Sequence, residues 1–337
     1  MIKNILVVSE ESQEYTAIHQ SFVDGFVSNG CKTEVFLAPT YPTLIQKLSG
    51  KIAFLKAYQQ KQNGKLLKRY TNLGLFDAIF VLKGSFISAE SLQEIKAQYP
   101  EVKLLCFNPD SPFNKRVSPK SCRDIIPYCD GYYYWSKAGL ESILNEGAKK
   151  AVYLPFATDT KRIYPVKSTE GYKYEVSFVG QGDKERNEQI DLYATYMFKH
   201  CPSAMINLFG IKWKVTNENI CIHPEQVGVD FLKTIYQSKI NINLLRLQNK
   251  NSINMRTFEI PGAGGFMLHE ISEEAKELFI EDKEAVYFST EEEFFEKVDF
   301  YLKNESLRQK IALKGYEKAK SYNYSYQQRA ATIINTF

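Results

Sequence analysis

The sequence predicts an α/β protein made of two successive units, each a parallel, doubly wound sheet. Three observations lead there. The chain has 337 residues, more than the roughly 250–300 at which a single hydrophobic core stops growing. Short β-branched runs alternate with helical stretches throughout, as in repeated βαβ units. A polar, proline-containing pause from Pro155 to Gly171 splits that alternation in two.

The elements follow in order. Ile5–Val8 is a buried first strand, and a helix follows with Tyr15, Ile18, Phe22 and Phe26 on one stripe, ended by Gly30. Thr33–Leu37, Ala78–Leu82 and Val102–Phe107 are strands, with a helix near Glu90–Ala97. Tyr132–Trp135 and Val152–Leu154 flank a helix that Gly147 stops. A second series runs through Tyr174–Val179, Met205–Phe209, Ile240–Leu245, Gly265–Leu268 and Ala285–Phe288, with helices such as Asp230–Gln237 and Glu291–Leu302. From Leu307 to Phe337 the pattern is helical. The expected division is 1–167, with a basic helical insertion at 41–70, then 168–321, then a closing helix at 322–337.

Composition excludes several classes. Apolar residues at 44% and charged residues at 24% describe a water-soluble globular chain. A net charge of +4 is too small to call for nucleic acid, and no nucleic-acid-binding motif accompanies it. No apolar run approaches the roughly 20 residues that span a bilayer, and the N-terminus is too short and polar-flanked for a signal peptide. Cys31, Cys106, Cys122, Cys129, Cys201 and Cys221 are dispersed, without C-x-x-C or zinc-like spacing. The expectation is a cytoplasmic protein with reduced thiols and no metal. Lys47, Lys51, Lys56, Lys61, Lys65, Lys68 and Arg69 lie among Leu48, Phe54, Tyr58 and Leu66. This is either a solvated helical face or a basic surface for an anionic acceptor or the inner face of a membrane.

Two segments point to chemistry. In Ser177 to Arg186 a strand ends at Gly180 and a helix begins about five residues later. Gly180, Gln181 and Gly182 allow close backbone approach to a ligand, the helix N-terminus attracts anions, and Arg186 offers a forked pair of donors to a diphosphate. In Asn254 to Leu268, Arg256 and Glu259 lie three apart, on one face of a short helix, ahead of Gly264 and Gly265. Arg256 suits a phosphate and Glu259 suits sugar hydroxyls. The same spacing also fits an intrahelical ion pair followed by a packing contact.

The string from Asn254 to Leu268 resembles the signature of the CgeB-like, spore-maturation-protein-type glycosyltransferases, roughly N-x-R-x-F-E-x-P-A-x-G-G-F-x-L. Asn108-Pro109-Asp110-Ser111-Pro112-Phe113-Asn114, the passage from Leu154 to Pro165, Ser177 to Gly182, and Tyr324 with Arg329 are also similar to that family, so the likeness runs from about residue 100 to the C-terminus. The resemblance implies the GT-B fold, with two Rossmann-like domains facing across a cleft and the C-terminal helix crossing back to the first. It implies a nucleoside-diphosphate sugar donor on the second domain, held by Gly180, Gln181, Gly182, Arg186, Asn254, Arg256, Glu259, Gly264 and Gly265. The acceptor, a glycan, lipid-linked or protein hydroxyl, falls to the first domain, with no metal and no cofactor besides the donor. The setting it suggests is bacterial surface polysaccharide or glycoconjugate synthesis. In the broader retaining group with an E-x(7)-E motif, Glu259 matches the second acid, and the first falls on Asn251.

Asp110, in a proline-bounded loop after a strand, is the candidate general base, and Arg256 the candidate for stabilising the leaving diphosphate. Asp110 equally suits a turn. His19, His223 and His269 are weaker candidates, with only His269 at a plausible sheet edge. Phe178, Phe209, Trp213 and Tyr236 read as core. A nucleotide-sugar epimerase, or a non-catalytic binding protein descended from a transferase, would fit the same donor-side residues.

Overall fold

The computed structural model describes residues 2–10, 18–39, 53–69, 73–167, 171–201 and 204–337. Tyr15, Lys47 and Lys51 lie outside them. The chain forms two units, Met1–Pro155 with Tyr326–Phe337, and Phe156–Ser325.

In the first unit the strands are β1 (Asn4–Glu10), β2 (Lys32–Ala38), β3 (Ala78–Leu82), β4 (Lys103–Phe107), β5 (Gly131–Tyr134) and β6 (Ala151–Tyr153). They form one parallel sheet in the order β2-β1-β3-β4-β5-β6. The helices are α1 (Ile18–Ser28), α2 (Ala53–Arg69), α3 (Ala89–Gln98), α4 (Ser121–Asp124) and α5 (Leu140–Asn145). Every residue of β3 and β5 is buried, which explains their unbroken apolar and aromatic runs. Phe22 and Phe26 of α1 pack on Phe80 of β3 with ring centroids 4.9 and 5.3 Å apart.

The chain ends in this unit as well. Helix α12 (Tyr326–Asn335) lies against α1. Gly25 makes that approach possible, because a Cβ there would lie 2.5 Å from the Tyr326 carbonyl oxygen. Arg329 Nε donates to the Pro155 carbonyl at 2.8 Å, and Tyr133 Oη donates to that of Ile333 at 3.3 Å.

The second unit contains β7 (Tyr174–Val179), α6 (Lys184–His200), β8 (Ile206–Phe209), β9 (Ile220–His223), α7 (Gly228–Tyr236), β10 (Ser238–Asn243), α8 (Arg256–Gly262), β11 (Met267–Glu270), α9 (Glu273–Leu278), β12 (Val286–Phe288), α10 (Glu291–Lys303) and α11 (Glu305–Ala319). Its sheet is parallel, in the order β12-β11-β10-β7-β8-β9. The core gathers Phe178, Ile190, Leu208, Trp213, Ile242, Leu268 and Phe288. Phe178, Phe209 and Trp213 are thus core residues.

The passage from Pro155 to Gly171 reads as a linker, but its first half is built into the second unit. Thr158 N donates to the Tyr324 carbonyl at 2.8 Å, and Thr158 and Ile163 are buried against Gly262. Phe156, Ala157 and Thr158 are buried in a row there, a stretch too short to stand out among the prolines and charges around it. β9 is unpredicted: it is a short edge strand whose apolar run is only Ile220-Cys221-Ile222, with Cys221 and Ile222 exposed, set between polar and proline-containing segments.

Candidate functional site

The second sheet changes direction of winding between β7 and β10. The chain leaves β7 toward β8 on one side and later returns to β10 on the other. Open α/β sheets bind ligands beyond the carboxyl ends of such neighbouring strands. Two loops meet there, one after Val179 and one after Asn243.

The first loop is shaped by close backbone contact. Gly180 N donates to the Phe209 carbonyl and Gly182 N to that of Ile211, both at 2.9 Å. A Cβ on Gly182 would lie 2.6 Å from the Lys212 carbonyl oxygen, and one on Gly210 only 2.1 Å from that of Gly180. The glycines therefore press this loop against the one after β8. Gln181 lends its carbonyl to Arg186, and its side-chain oxygen accepts from Lys212 Nζ at 3.4 Å.

Asp183 starts α6. Its carboxylate accepts from Arg186 N at 3.0 Å, an N-cap that satisfies a free amide of the first turn. Arg186 folds back over the strand end. Its Nη1 donates to the Gln181 carbonyl at 3.1 Å and its Nη2 to that of Leu244 at 3.3 Å. The guanidinium lies 5.1 Å from the Phe178 ring centroid, and Nε is buried without an acceptor. Among the described residues no carboxylate forms an ion pair with it. Burial, followed by repulsion from Arg246, lowers its pKa to about 10, while Asp183 offsets part of that and Arg256 adds to it.

Arg246 follows β10 and pairs through Nε with Asp183 Oδ2 at 3.0 Å. Arg256 opens α8. Its Nε donates to the Val179 carbonyl at 3.1 Å, its guanidinium stands 4.4 Å from the Phe231 ring centroid, and Nη1 pairs with the buried Glu259 carboxylate. Three guanidinium groups thus gather at one sheet edge. Only two carry a carboxylate partner in direct contact.

A buried network holds this edge. The Glu270 carbonyl can only accept, so His269 Nδ1 carries the proton and donates to it. His269 Nε2 then accepts from Thr257 Oγ1 at 2.9 Å. Thr257 Oγ1 accepts from Asn243 Nδ2 at 3.2 Å and from Asn254 N at 3.3 Å. Asn254 Nδ2 donates to Asn243 Oδ1 at 2.8 Å and to the Leu244 carbonyl, while its Oδ1 accepts from Thr257 N. The Glu270 carboxylate accepts from Leu245 N at 2.8 Å and faces Arg186. Burial lowers the His269 pKa to about 4, so the ring is neutral and is a support for α8 and β10.

The sequence-predicted residues divide accordingly. Arg186, Arg256, Glu259 and the loop of Gly180, Gln181 and Gly182 come together. Asn254 sits beside them, with its amide committed to the network. Gly264 and Gly265 do not join them. They precede β11 and so lie at the amino edge of the sheet, whereas the arginines lie at the carboxyl edge. Packing explains them: Gly264 is in the left-handed region at φ 79°, and a Cβ on Gly265 would lie 2.6 Å from Ile235 and 2.7 Å from Asn241 Nδ2. Asn251 is exposed and left-handed at φ 65°, a conformation Asn tolerates better than an acid of Glu's length. His269 is fully buried and has no surface for a ligand. Asp110 belongs to the first unit, where Lys83 Nζ donates to its Oδ2 at 2.9 Å. Burial disfavours the Lys83 charge, but attraction and hydrogen bonding to Asp110 outweigh it, and the lysine pKa is raised.

Arg246, Asp183 and Glu270 are additional members of the site. Asp183 carries a legible signal, an N-cap type three residues before Arg186. Arg246 and Glu270 follow strand ends, a position that speaks only once the sheet order is known. Among the described residues no cluster of three His, Cys, Asp or Glu could hold a metal ion, and no helix is long and apolar enough to cross a membrane.

Residues 194–335 match the profile of a family described as glycosyl transferase-like. No curated protein sequence matches the chain. Solved structures resemble it along its whole length. A sucrose-phosphate synthase from Thermosynechococcus elongatus is 10% identical, with a TM-score of 0.68 over 99% of this chain and 98% of that one. An alpha-glucosyltransferase in complex with UDP-glucose and DNA containing an abasic site is 12% identical, with a TM-score of 0.68 over 98% and 99%. HepE from Anabaena, in complex with UDP and glucose, is 12% identical, with a TM-score of 0.63 over 99% of each chain. Residues 194–335 are therefore glycosyl transferase-like in sequence, and the chain as a whole has the two-domain α/β fold of the GT-B glycosyltransferases.

Proposed function

We propose that this protein transfers a sugar from a nucleoside-diphosphate sugar to an acceptor hydroxyl, with the diphosphate held at the carboxyl edge of the second sheet. The observation that carries the reading is Arg186, a desolvated cation with an unused donor and no carboxylate partner. A buried charge of this kind costs free energy unless an anion completes it. Arg246 and Arg256 stand beside it, and the α6 N-terminus adds a positive dipole end.

In the proposed reaction the acceptor oxygen bonds to the anomeric carbon. The bond from that carbon to the terminal phosphate oxygen breaks, and the hydroxyl proton leaves for a base. Arg186, Arg246 and Arg256 take up the charge that builds on the departing diphosphate. Glu259, once shared between Arg256 and the ligand, accepts from the ribose hydroxyls. Asp110 is the proposed proton acceptor, held in place by its pair with Lys83. The nucleotide is proposed to be uridine-based, because the similar HepE and alpha-glucosyltransferase structures are complexes with UDP, UDP-glucose or both. Within the fold class, the Asn254–Leu268 string supports a CgeB-like relationship. The basic α2 segment supports contact with an anionic membrane surface.

The test is product analysis with UDP-sugars in the presence and absence of acceptors. A glycosylated product with release of UDP supports the reading. An altered sugar nucleotide formed without acceptor contradicts it.

A further inference from the structure

The first sheet has its own change of winding, between β1 and β3. Four chemistry-bearing side chains gather at the carboxyl ends there. Glu10 ends β1. Lys83 follows β3 in the left-handed region at φ 64°, and Gly84 continues it at φ 75°. A non-glycine residue holds such a backbone only when its surroundings require it, and such residues cluster at functional sites. Here the turn delivers Lys83 Nζ to Asp110, itself fixed by an Asx turn in which Asp110 N donates to Asn108 Oδ1 at 2.9 Å. Ser85 Oγ makes long contacts of 3.5 Å with both Glu10 oxygens.

Helix α2 supplies the fourth. Gln60 Nε2 donates to the Ser85 carbonyl at 2.7 Å and to Ser121 Oγ at 2.8 Å, and Asn63 Nδ2 donates to the Phe86 carbonyl at 3.0 Å. These bonds turn one face of α2 onto the loop after β3. Lys56 lies one turn before Gln60 on that face. It is half-buried and, among the described residues, makes no hydrogen bond or ion pair. Burial lowers its pKa and Lys83 adds to that, against the attraction of Cys122 and Glu10. The Cys122 thiol, raised to about 12 chiefly by burial, is neutral near pH 7 and is no counterion.

We propose that Glu10, Lys56, Lys83 and Asp110 form the acceptor site of the transferase, and that the acceptor is a carbohydrate. Lys83 and Asp110 satisfy each other. Among the described residues Glu10 meets only the long Ser85 contacts and Lys56 makes none, so they offer an acceptor and a donor with no net charge between them. Neighbouring hydroxyls of a sugar match that pair, since one donates to the carboxylate while the next accepts from the ammonium. A phosphate would gain from Lys56 but meet Glu10 and Asp110 as like charges. The proposal rests on the transferase reading for the identity of the ligand as acceptor.

The experiment is saturation-transfer NMR on the full chain with methyl glycosides of glucose, galactose, mannose and N-acetylglucosamine, in the presence of UDP. Glu10→Gln and Lys56→Met are compared with wild type, and UDP affinity is measured separately by calorimetry. The result expected is that at least one glycoside binds, and that each substitution weakens it about tenfold or more while UDP affinity holds. Absence of glycoside binding, or binding unchanged in both variants, overturns the proposal. Binding of inorganic phosphate lost on Lys56→Met marks an anion site instead and also overturns it. Failure of UDP itself to bind counts against the transferase reading and is seen in the calorimetric arm alone.

Discussion

Asp183 and Arg246 tie together the two loops that leave β7 and β10, with Oδ2 and Nε 3.0 Å apart. The other carboxylate oxygen caps α6 through Arg186 N. One side chain thus sets both the helix start and the position of an arginine. Asp183→Ala loses the cap and the pair, and unfolding free energy falls by about 1 kcal/mol, because the half-exposed ion pair adds little to the cap. Asp183→Asn keeps a good cap and loses only the charge. Denaturant unfolding separates the variants: Asn close to wild type, Ala below it.

Gly210 faces the Gly180 carbonyl, where a Cβ would sit at 2.1 Å with φ 149°. Gly210→Ala must push the two loops apart and costs more than about 2 kcal/mol. Gly30→Ala is the control. It has φ 82° but nothing within 4 Å of its Cβ, so only the backbone conformation is penalised, by about 1 kcal/mol. Equal losses in the two variants would remove the close approach of the loops.

His269 makes stability depend on pH. Its folded pKa of about 4 lies below the ordinary value of 6.5. Between those values the unfolded chain binds a proton that the folded chain refuses. The contribution is therefore complete above about pH 6.5, declines as pH falls, and levels off below about pH 4, for a total on the order of 3 kcal/mol. His269→Gln flattens that slope. The check is chemical unfolding of both proteins at several pH values across the window. A slope unchanged by the substitution assigns the effect elsewhere.

How much of this was legible follows from the physics of each element. Strands buried on both faces, such as β3, announce themselves as apolar runs. β9 does not, because three apolar residues on a partly exposed edge are too short a run to stand out. The three-residue spacing of Arg256 and Glu259 was readable, and the structure pairs the two directly. Gly264 and Gly265 look like a phosphate cradle because a ligand approach and a side-chain approach both demand the absence of a Cβ. Only the strand direction distinguishes them. Arg246 and Glu270 were hidden for a related reason: each is a lone charge until the sheet order makes its loop a neighbour of Arg186.

Glu259 is buried beside Arg256 with one oxygen engaged, which leaves the carboxylate able to accept from a ribose. Wild type is expected to bind UDP severalfold more tightly than 2′-deoxy-UDP. Glu259→Gln narrows that ratio toward one, because an amide accepts less strongly than a carboxylate. Competition calorimetry with both nucleotides reads the ratio. An undiminished preference in the variant would take the ribose role from Glu259.

The second unit is proposed to hold a nucleoside diphosphate through Arg186 and its neighbours. Calorimetric titration of UDP into wild type and Arg186→Ala tests it directly. Wild type should bind, and the variant should bind about ten- to a hundredfold more weakly, as expected for losing charge-assisted hydrogen bonds of ~1.5–3 kcal/mol. No binding by wild type at millimolar UDP, or equal affinity in the variant, would contradict it.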